Sequence, residues 1–370
     1  MQRAFGRADG RYRRDEGRLR PPGSRAHLWP FIRAMVATLD LAGVAPAPPE
    51  AFDARGAVAL RLHELEHYWD PRSPPAYASD PPGTWFGGDR YHDDNAWVGL
   101  ALVQRERMWP GAGRLDRARA LWRLAVAGWD HDPAAPHPGG VFWVEQGRGT
   151  GRRNHDRNTV STAPNAQLGL HLEALGALAP ADLSPLDPRR MGDWVTSALD
   201  AGGDGDGLFW DKIRGDGTID RARWSYNQGA MIGLHVLLSR RAGDGGAADS
   251  GAGPDSGAGP DGAAEHLARA ERIAGRALAH YAGGELERQP AAFNAIFLRN
   301  LLTLHVATAD AALRSAILAA LHGYGTHLWA PGRSGVQGAA GRASTVLDQS
   351  AAVSVFALLA WDPADYARIT

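Results

Sequence analysis

Two consecutive aspartates, Asp93 and Asp94, stand at the start of a strongly apolar stretch and are the first residues that could carry chemistry. Two carboxyl groups held side by side cannot both ionise easily, so their pKa values separate. One then stays an anion that can attack or stabilise an electron-poor carbon, while the other keeps a proton that it can donate. This division of roles is what the cleavage of a glycosidic bond requires.

The simplest alternative for such a pair is helix capping, because an acidic residue in a first turn accepts backbone N–H bonds and favours the helix dipole. A cap does not need aromatic neighbours. Here Trp85, Phe86, Tyr91 and Trp97 flank the pair, and aromatic rings offer flat surfaces on which sugars can stack. The aromatic flank therefore favours a glycan site over a cap.

A metal site would draw on His92, the two aspartates, His155 and Asp156. Adjacent side chains on a helix point about 100° apart and rarely share one ion, and the histidines lack metal-ligand spacing. A glycine-rich phosphate loop is absent as well. We therefore predict no metal and no cofactor.

Charge and composition narrow the possible partners. Forty basic and forty-one acidic residues give a net charge of −1, which does not favour nucleic acid or an anionic membrane. The absence of cysteine excludes disulfides, thiolate zinc sites and cysteine nucleophiles. The arginine-rich segment 1–26 is predicted to be a disordered or loosely docked arm, and no apolar run follows it as in a signal peptide. We expect a cytoplasmic monomer that binds neither nucleic acid nor membrane.

Helical patterns dominate the rest of the chain and predict an all-α fold. They cover residues 27–43, 53–68, 93–108, 115–129, 160–177, 188–200, 226–240, 263–282, 291–308, 311–328 and 345–360. The first, third and every following odd-numbered helix begin at intervals of about 66 residues, and only the last interval is shorter. Buried helices alternate with amphipathic ones, as in an (α/α)6 barrel, a toroid of six helix hairpins. We predict one domain over 27–370, with the N-terminal arm or an irregular segment replacing a twelfth helix.

Residues 241–262 are rich in glycine, alanine and aspartate and contain a tandem repeat without large apolar side chains. Such a segment cannot form a core. Because the helical pattern resumes directly after it, we predict a low-complexity disordered insertion between an inner and an outer helix, not a domain boundary.

Five blocks in order resemble the conserved blocks of glycoside hydrolase family 76, and together they span nearly the whole helical region. They are Tyr91-His-Asp-Asp-Asn-Ala-Trp97, Gly139-Gly-Val-Phe-Trp143, Arg157-Asn-Thr-Val-Ser161, Tyr226-Asn-Gln-Gly229 and Phe293-Asn-Ala-Ile-Phe-Leu-Arg299. The resemblance implies an (α/α)6 barrel and a retaining α-1,6-mannanase or mannosidase that acts on a mannan-like oligosaccharide or polysaccharide. By the same resemblance, Asp93 is the nucleophile and Asp94 the general acid/base.

The predicted substrate-binding residues follow from these blocks and their aromatic neighbours: Trp85, Tyr91, Asn95, Trp97, Trp143, Asn158, Thr162, Tyr226, Asn227, Gln228 and Phe293. The chain departs from the family pattern at Thr162, where a second Asn is common. It also has Asn294-Ala295 in place of a frequent Lys-Gly. Arg299 lies well inside its helix, where we expect a buried ion pair.

Two other functions fit the same toroid. A sugar 2-epimerase or a polysaccharide lyase is one, and an epimerase would bring His92, His171, His235 and His305 to the cavity. A non-catalytic glycan-binding protein is the other, and it would hold the aspartate pair in arginine salt bridges.

Deleting residues 241–262 should leave thermal stability nearly unchanged, because a loop without a core contributes little beyond closure entropy. Thermal unfolding of the deletion variant should show a melting temperature within about 2 °C of the full chain. A drop of many degrees would mean that the segment packs against the barrel.

Overall fold

A computed structural model describes residues 25–44, 52–83, 88–204, 207–243, 260–330 and 345–370. This part of the chain is mainly helical, which confirms the all-α prediction. In chain order the helices are α1 (Leu28–Ala42), α2 (Ala54–Leu65), α3 (His92–Met108), α4 (Leu115–Ala127), α5 (Thr159–Ala174), α6 (Pro180–Leu183), α7 (Pro188–Leu199), α8 (Ser225–Gly243), α9 (Pro260–His280), α10 (Glu285–Arg288), α11 (Ala291–Ala307), α12 (Ala311–Trp329) and α13 (Val346–Ala360).

Six helices form a closed inner ring. Each packs against the next in the order α1, α3, α5, α8, α11 and α13, and α13 packs back against α1. Helices α2, α4, α7, α9 and α12 lie outside the ring, each beside an inner helix. This arrangement is the predicted (α/α)6 barrel.

Burial separates the two rings as the amphipathic patterns predict. Fourteen of the sixteen residues of inner helix α5 are buried, but only four of the nineteen in outer helix α12 are. An inner helix is covered on several sides, so it has no polar stripe, whereas an outer helix keeps one face in water. No helix in the described ranges is long and apolar enough to cross a membrane.

The chain after α13 packs against the ring without forming a twelfth helix of the barrel. Residues Pro363–Arg368 form a 3₁₀ helix that packs on α3 and α11. The guanidinium of Arg107, at the end of α3, donates to the carbonyl of Ala367, and Thr370 donates to the carbonyl of Leu100. The irregular C-terminal segment therefore packs on two inner helices and does not take the place of a twelfth, outer helix beside α13.

Short strands occupy the connections that lead into the inner helices. Strands β1 (Trp69–Asp70) and β2 (Ala76–Tyr77) pair before α3, and β3 (Arg157–Asn158), β4 (Lys212–Ile213) and β5 (Ile219–Asp220) form a three-stranded antiparallel sheet. Periodicity did not predict them, because two-residue strands are too short to alternate. They matter because they link the loops before α5 and α8.

The edges of the predicted insertion need correction. Helix α8 continues to Gly243 and α9 begins at Pro260, so only residues 244–259 lie outside the described residues. Arg241 belongs to α8 and forms ion pairs with Glu173 and Asp187. The deletion that should leave stability unchanged is therefore that of residues 244–259. Of the predicted arm, residues 1–24 likewise lie outside the described part.

A buried polar cluster lies inside the ring away from the helix N-termini. Arg299 of α11 pairs with Asp40 of α1, as its position in the helix predicted, and the Gln104 side chain of α3 bonds to both. Arg33 is also buried, and burial lowers its pKa to about 9, with the nearby Arg299 charge adding to the effect. Asp40 is thus the anion that pairs with Arg299 and stabilises the charge of the buried Arg33 electrostatically.

Asp40→Asn should lower the free energy of unfolding by about 3–5 kcal/mol, because it leaves two buried cations without their anion. Urea denaturation measures this loss. Asp310→Asn is the matched control, since Asp310 caps α12 from an exposed position and asparagine caps a helix about as well. Equal stability of the two variants would contradict the proposed importance of the cluster.

Candidate active site

A cavity of about 460 Å³ opens where the N-terminal ends of the inner helices meet. First turns or N-caps of α1, α3, α5, α8 and α11 contribute Trp29, Asp93, Asn158, Tyr226 and Phe293 to its wall. The volume lies within the usual range for a small-molecule site. Five inner helices therefore point their N-termini, the positive ends of their dipoles, at one pocket.

The aspartate pair lies in the first turn of α3 and lines this cavity. The N-cap of the helix is Tyr91, so neither aspartate holds the N-cap position. One oxygen of Asp93 accepts from the backbone N–H of Asp94 at 3.0 Å, and the other accepts from Nε1 of Trp143 at 3.2 Å. Capping alone does not account for a carboxylate that faces a pocket and receives an indole N–H.

Burial sets the protonation of the pair. Desolvation raises the pKa of Asp93 to about 6, although the bonds from Asp94 and Trp143 act in the opposite direction. Desolvation raises the pKa of Asp94 well above its ordinary value, and the adjacent charge of Asp93 adds to the rise. Asp93 is therefore the partner that ionises first, and Asp94 is the partner that keeps its proton.

Aromatic side chains form the walls around the carboxyl groups. Tyr91 packs on Trp143, with ring centroids 4.8 Å apart. Across the cavity, Tyr226 stacks nearly parallel on Phe293 at 3.9 Å. Trp97, one turn after the aspartates, also lines the space. Such surfaces suit the apolar faces of pyranose rings.

The structure brings most of the predicted site residues together. The cavity lining includes both aspartates and six of the predicted substrate-binding residues, which are Tyr91, Trp97, Trp143, Asn158, Tyr226 and Phe293. Trp85 lies outside the described residues.

Asn95 and Thr162 are placed differently from the prediction. The Asn95 side chain is buried and exchanges hydrogen bonds with the backbone of Tyr77, which fixes the loop before α3. The Thr162 hydroxyl accepts from the backbone N–H of Val141. Neither residue lines the cavity, and the predicted direct contact with substrate is therefore corrected. Both side chains instead hold loops at the mouth of the barrel.

Asn227 and Gln228 also serve the fold. Gln228 is fully buried and bonds to both the backbone N–H and the carbonyl of Phe209. Asn227 is fully buried and donates to the carboxylate of Asp211 at 3.3 Å. The Tyr-Asn-Gln-Gly block thus brings only Tyr226 to the cavity, because successive residues of a helix point in different directions.

Sequence reasoning missed Asp211 and Lys212, which both line the cavity. The sequence does contain a signal for Asp211, because one Gly-apolar-Phe-Trp pattern occurs twice and Asp211 directly follows the second copy. Gly140-Val-Phe-Trp143 is followed by Val144, whereas Gly207-Leu-Phe-Trp210 is followed by a carboxylate. Lys212 forms an ion pair with Asp156 at 3.0 Å. Trp29, Ser79 and His27 were missed as well, and nothing in their local sequence marks them as parts of this site.

The structure does not show the arrangements expected of an epimerase or of a non-catalytic glycan-binding protein. Of the residues the structure describes, the histidines expected of an epimerase do not line the cavity: His171 contacts Arg107, His235 contacts His266 and His305 packs on Tyr366. His92 is not part of the cavity lining either, and burial lowers its pKa to about 4. Neither aspartate of the pair forms an arginine ion pair with the described residues, as a non-catalytic site would require.

Within the described ranges, no cluster of three or more His, Cys, Asp or Glu side chains is arranged to hold a metal ion. The residues weighed as ligands have other partners. His155 bonds to Gln146, and Asp156 pairs with Lys212.

A helical toroid with a carboxylate pair and aromatic walls at its mouth is the arrangement expected of a glycoside hydrolase. The family model of glycosyl hydrolase family 76 matches residues 64–248, which is half of the chain. The chain belongs to this family.

Solved structures of low sequence identity share the fold. The GH76 α-mannanase BT2949 of Bacteroides thetaiotaomicron has a TM-score of 0.69 at 16% identity, over 91% of this chain and 87% of that chain. The GH76 mannosidase Bt3792 of the same species has a TM-score of 0.68 at 22% identity, over 95% and 92%. An inactive variant of the α-1,6-mannanase GH76A of Salegentibacter sp. HEL1_6, in complex with α-1,6-mannotriose, has a TM-score of 0.67 at 18% identity, over 97% and 95%. No curated protein matches the sequence.

The burial of Asp94 predicts a pH-dependent effect on stability. A carboxyl group whose pKa is raised in the fold binds its proton more tightly there than in the unfolded chain. Stability is therefore lost as pH rises from about 4 through its folded pKa. Asp94→Asn should raise the melting temperature at pH 7 more than at pH 4, because the amide removes this penalty.

The measurement is the difference in melting temperature between variant and parent across this pH range. A difference that stays constant between pH 4 and pH 7 would contradict the raised pKa of Asp94.

Proposed function

We propose that this chain hydrolyses α-mannosidic bonds, with α-1,6 linkages as its substrate, by a retaining double displacement. The observation that carries the proposal is the adjacent pair Asp93 and Asp94 lining one cavity with different hydrogen bonding. Both carboxyl groups line one cavity, and the charge of Asp93 acts directly on Asp94. This proximity favours retention, because inversion needs a wider spacing.

Asp93 has the properties of the nucleophile. Its two oxygens accept N–H bonds from the Asp94 backbone and from Trp143, and these bonds hold the carboxylate in one orientation. Its carboxylate attacks the anomeric carbon while the bond from that carbon to the leaving oxygen breaks. The product of this step is a mannosyl ester on Asp93.

Asp94 has the properties of the acid/base. In the described part of the chain no hydrogen bond reaches its carboxyl group, and burial next to Asp93 keeps it protonated. It donates its proton to the leaving oxygen as the first bond breaks. The carboxylate then takes a proton from water, the resulting hydroxyl attacks the anomeric carbon, and the ester bond breaks to restore Asp93.

The choice of mannan rests on the family and on the structural neighbours. The Bacteroides protein BT2949 is an α-mannanase, and the Salegentibacter enzyme is an α-1,6-mannanase whose inactive variant, with two consecutive aspartates changed to asparagine, is bound to α-1,6-mannotriose. Two consecutive aspartates in the same kind of toroid support the same assignment for Asp93 and Asp94.

Asp93→Asn and Asp94→Asn should each lower hydrolysis of α-1,6-mannan by roughly 10³-fold or more, because an amide can neither attack nor donate the proton. The two variants should differ on an aryl mannoside with a dinitrophenolate leaving group. This leaving group needs no proton, so Asp94→Asn should lose least on it, and azide should restore turnover. Asp93→Asn should lose activity on every substrate.

Asp220→Asn is a suitable control, because Asp220 pairs with Arg214 outside the cavity.

The anomer released first, followed by proton NMR, should be the α form. Release of the β form would exclude retention, and full activity of either aspartate variant would remove the pair from the mechanism.

A further inference from the structure

Asp211 is a third carboxylate of the cavity that the mechanism above does not use. It directly precedes β4, lines the cavity and is only 7% exposed. Asn227 donates to it at 3.3 Å, and the Tyr226 hydroxyl also interacts with it. In the described part of the chain it forms no ion pair, because the neighbouring Lys212 pairs with Asp156.

A buried carboxylate without a cation is costly unless hydrogen-bond donors reach it. Desolvation raises the pKa of Asp211, and the Asn227 hydrogen bond, the nearby Lys212 charge and the Tyr226 hydrogen bond only partly oppose this rise. Asn227 contacts one oxygen at the long distance of 3.3 Å. The arrangement leaves acceptor capacity directed into a space of about 460 Å³ that is large enough for sugar rings.

Backbone hydrogen bonds hold Asp211 in register with the aspartate pair. The N–H of His92 donates to Trp143, and the N–H of Trp143 donates to Asp156. On the other side of β3, the N–H of Thr159 donates to the carbonyl of Asp211. This ladder runs from the residue before Asp93 to Asp211, so the two side chains keep a fixed separation across the mouth.

The charges of the two groups are also coupled, since Asp211 contributes to the raised pKa of Asp93. Both carboxylates line the same cavity of about 460 Å³. A sugar ring bound at Asp93 in so small a space lies near the wall that Asp211 and Tyr226 form.

We propose that Asp211 accepts hydrogen bonds from hydroxyl groups of the sugar ring whose anomeric carbon Asp93 attacks, and that it selects substrates by those hydroxyl groups. This inference rests on the function proposed above. The ligand class is a neutral pyranoside with free ring hydroxyls. A ring with an anionic substituent at that place is disfavoured by the negative charges of Asp93 and Asp211.

The test measures kcat/KM for dinitrophenyl α-mannosides extended by 1,6-linked mannose, with the attacked ring either intact or lacking its 2-, 3- or 4-hydroxyl group. In the parent enzyme, removal of the hydroxyl that contacts Asp211 should lower kcat/KM by roughly 10- to 100-fold, as expected of a hydrogen bond to a charged group. In Asp211→Asn and Asp211→Ala the same removal should cost less than about threefold.

The comparison isolates one contact. The intrinsic electronic effect of a missing hydroxyl is the same for every variant, and a ratio measured within one preparation does not depend on the fraction of folded protein. Asp220→Asn, altered in the neighbouring strand β5, should keep the full penalty of the parent. In Asp211→Asn the acid limb of the kcat/KM profile, expected near pH 6 from Asp93, should also move to lower pH, because a neighbouring negative charge is gone.

Deoxy penalties that are equal in the parent and in both Asp211 variants would overturn the inference while leaving the hydrolase intact. Absence of hydrolysis by the parent enzyme itself would overturn the proposed function, and this inference with it.

Discussion

The burial of two adjacent carboxyl groups is the constraint on which this site depends. Taking a carboxylate out of water costs several kcal/mol unless bonds or charges compensate. Here the compensation is small and local, consisting of the first turn of α3, the backbone N–H of Asp94 and the indole of Trp143. The uncompensated remainder appears as raised pKa values for both groups. A rigid surrounding fold must therefore hold the pair in place.

The closed ring of inner helices supplies that rigidity. Five helix ends meet at one mouth, and the small three-stranded sheet joins the loops between them by backbone hydrogen bonds. The ladder that fixes Trp143 next to Asp93 also fixes Asp211. Inside the ring, Asp40 and Arg299 join α1 to α11. The short strands thus connect the site to the barrel, and the buried ion pair joins two inner helices away from the site.

Much of this could be predicted from the sequence. The helix expected over residues 93–108 is observed at His92–Met108. The prediction succeeds because an inner helix is apolar on several faces and its ends carry strong sequence signals. The site was predicted in part. Aromatic and acidic residues at helix starts indicated the cavity, but Asn227 and Gln228 look as suitable for sugar binding as Tyr226 does. Only the direction of each side chain, set by packing against Phe209 and Asp211, distinguishes them. Asp211 was missed because its role depends on strand pairing between distant loops.

The central claim is that Asp93 forms a covalent bond to the sugar, and trapping the ester tests it most directly. A 2-deoxy-2-fluoro mannosyl fluoride extended by 1,6-linked mannose carries a good leaving group, and its fluorine slows the breakdown of the ester. The protein is incubated with it, digested with a protease and examined by mass spectrometry. We expect a glycosyl group on the peptide containing Asp93, with fragment ions that place it on that residue, and no such group on protein with Asp93→Asn. A label on Asp94 or Asp211 would contradict the account.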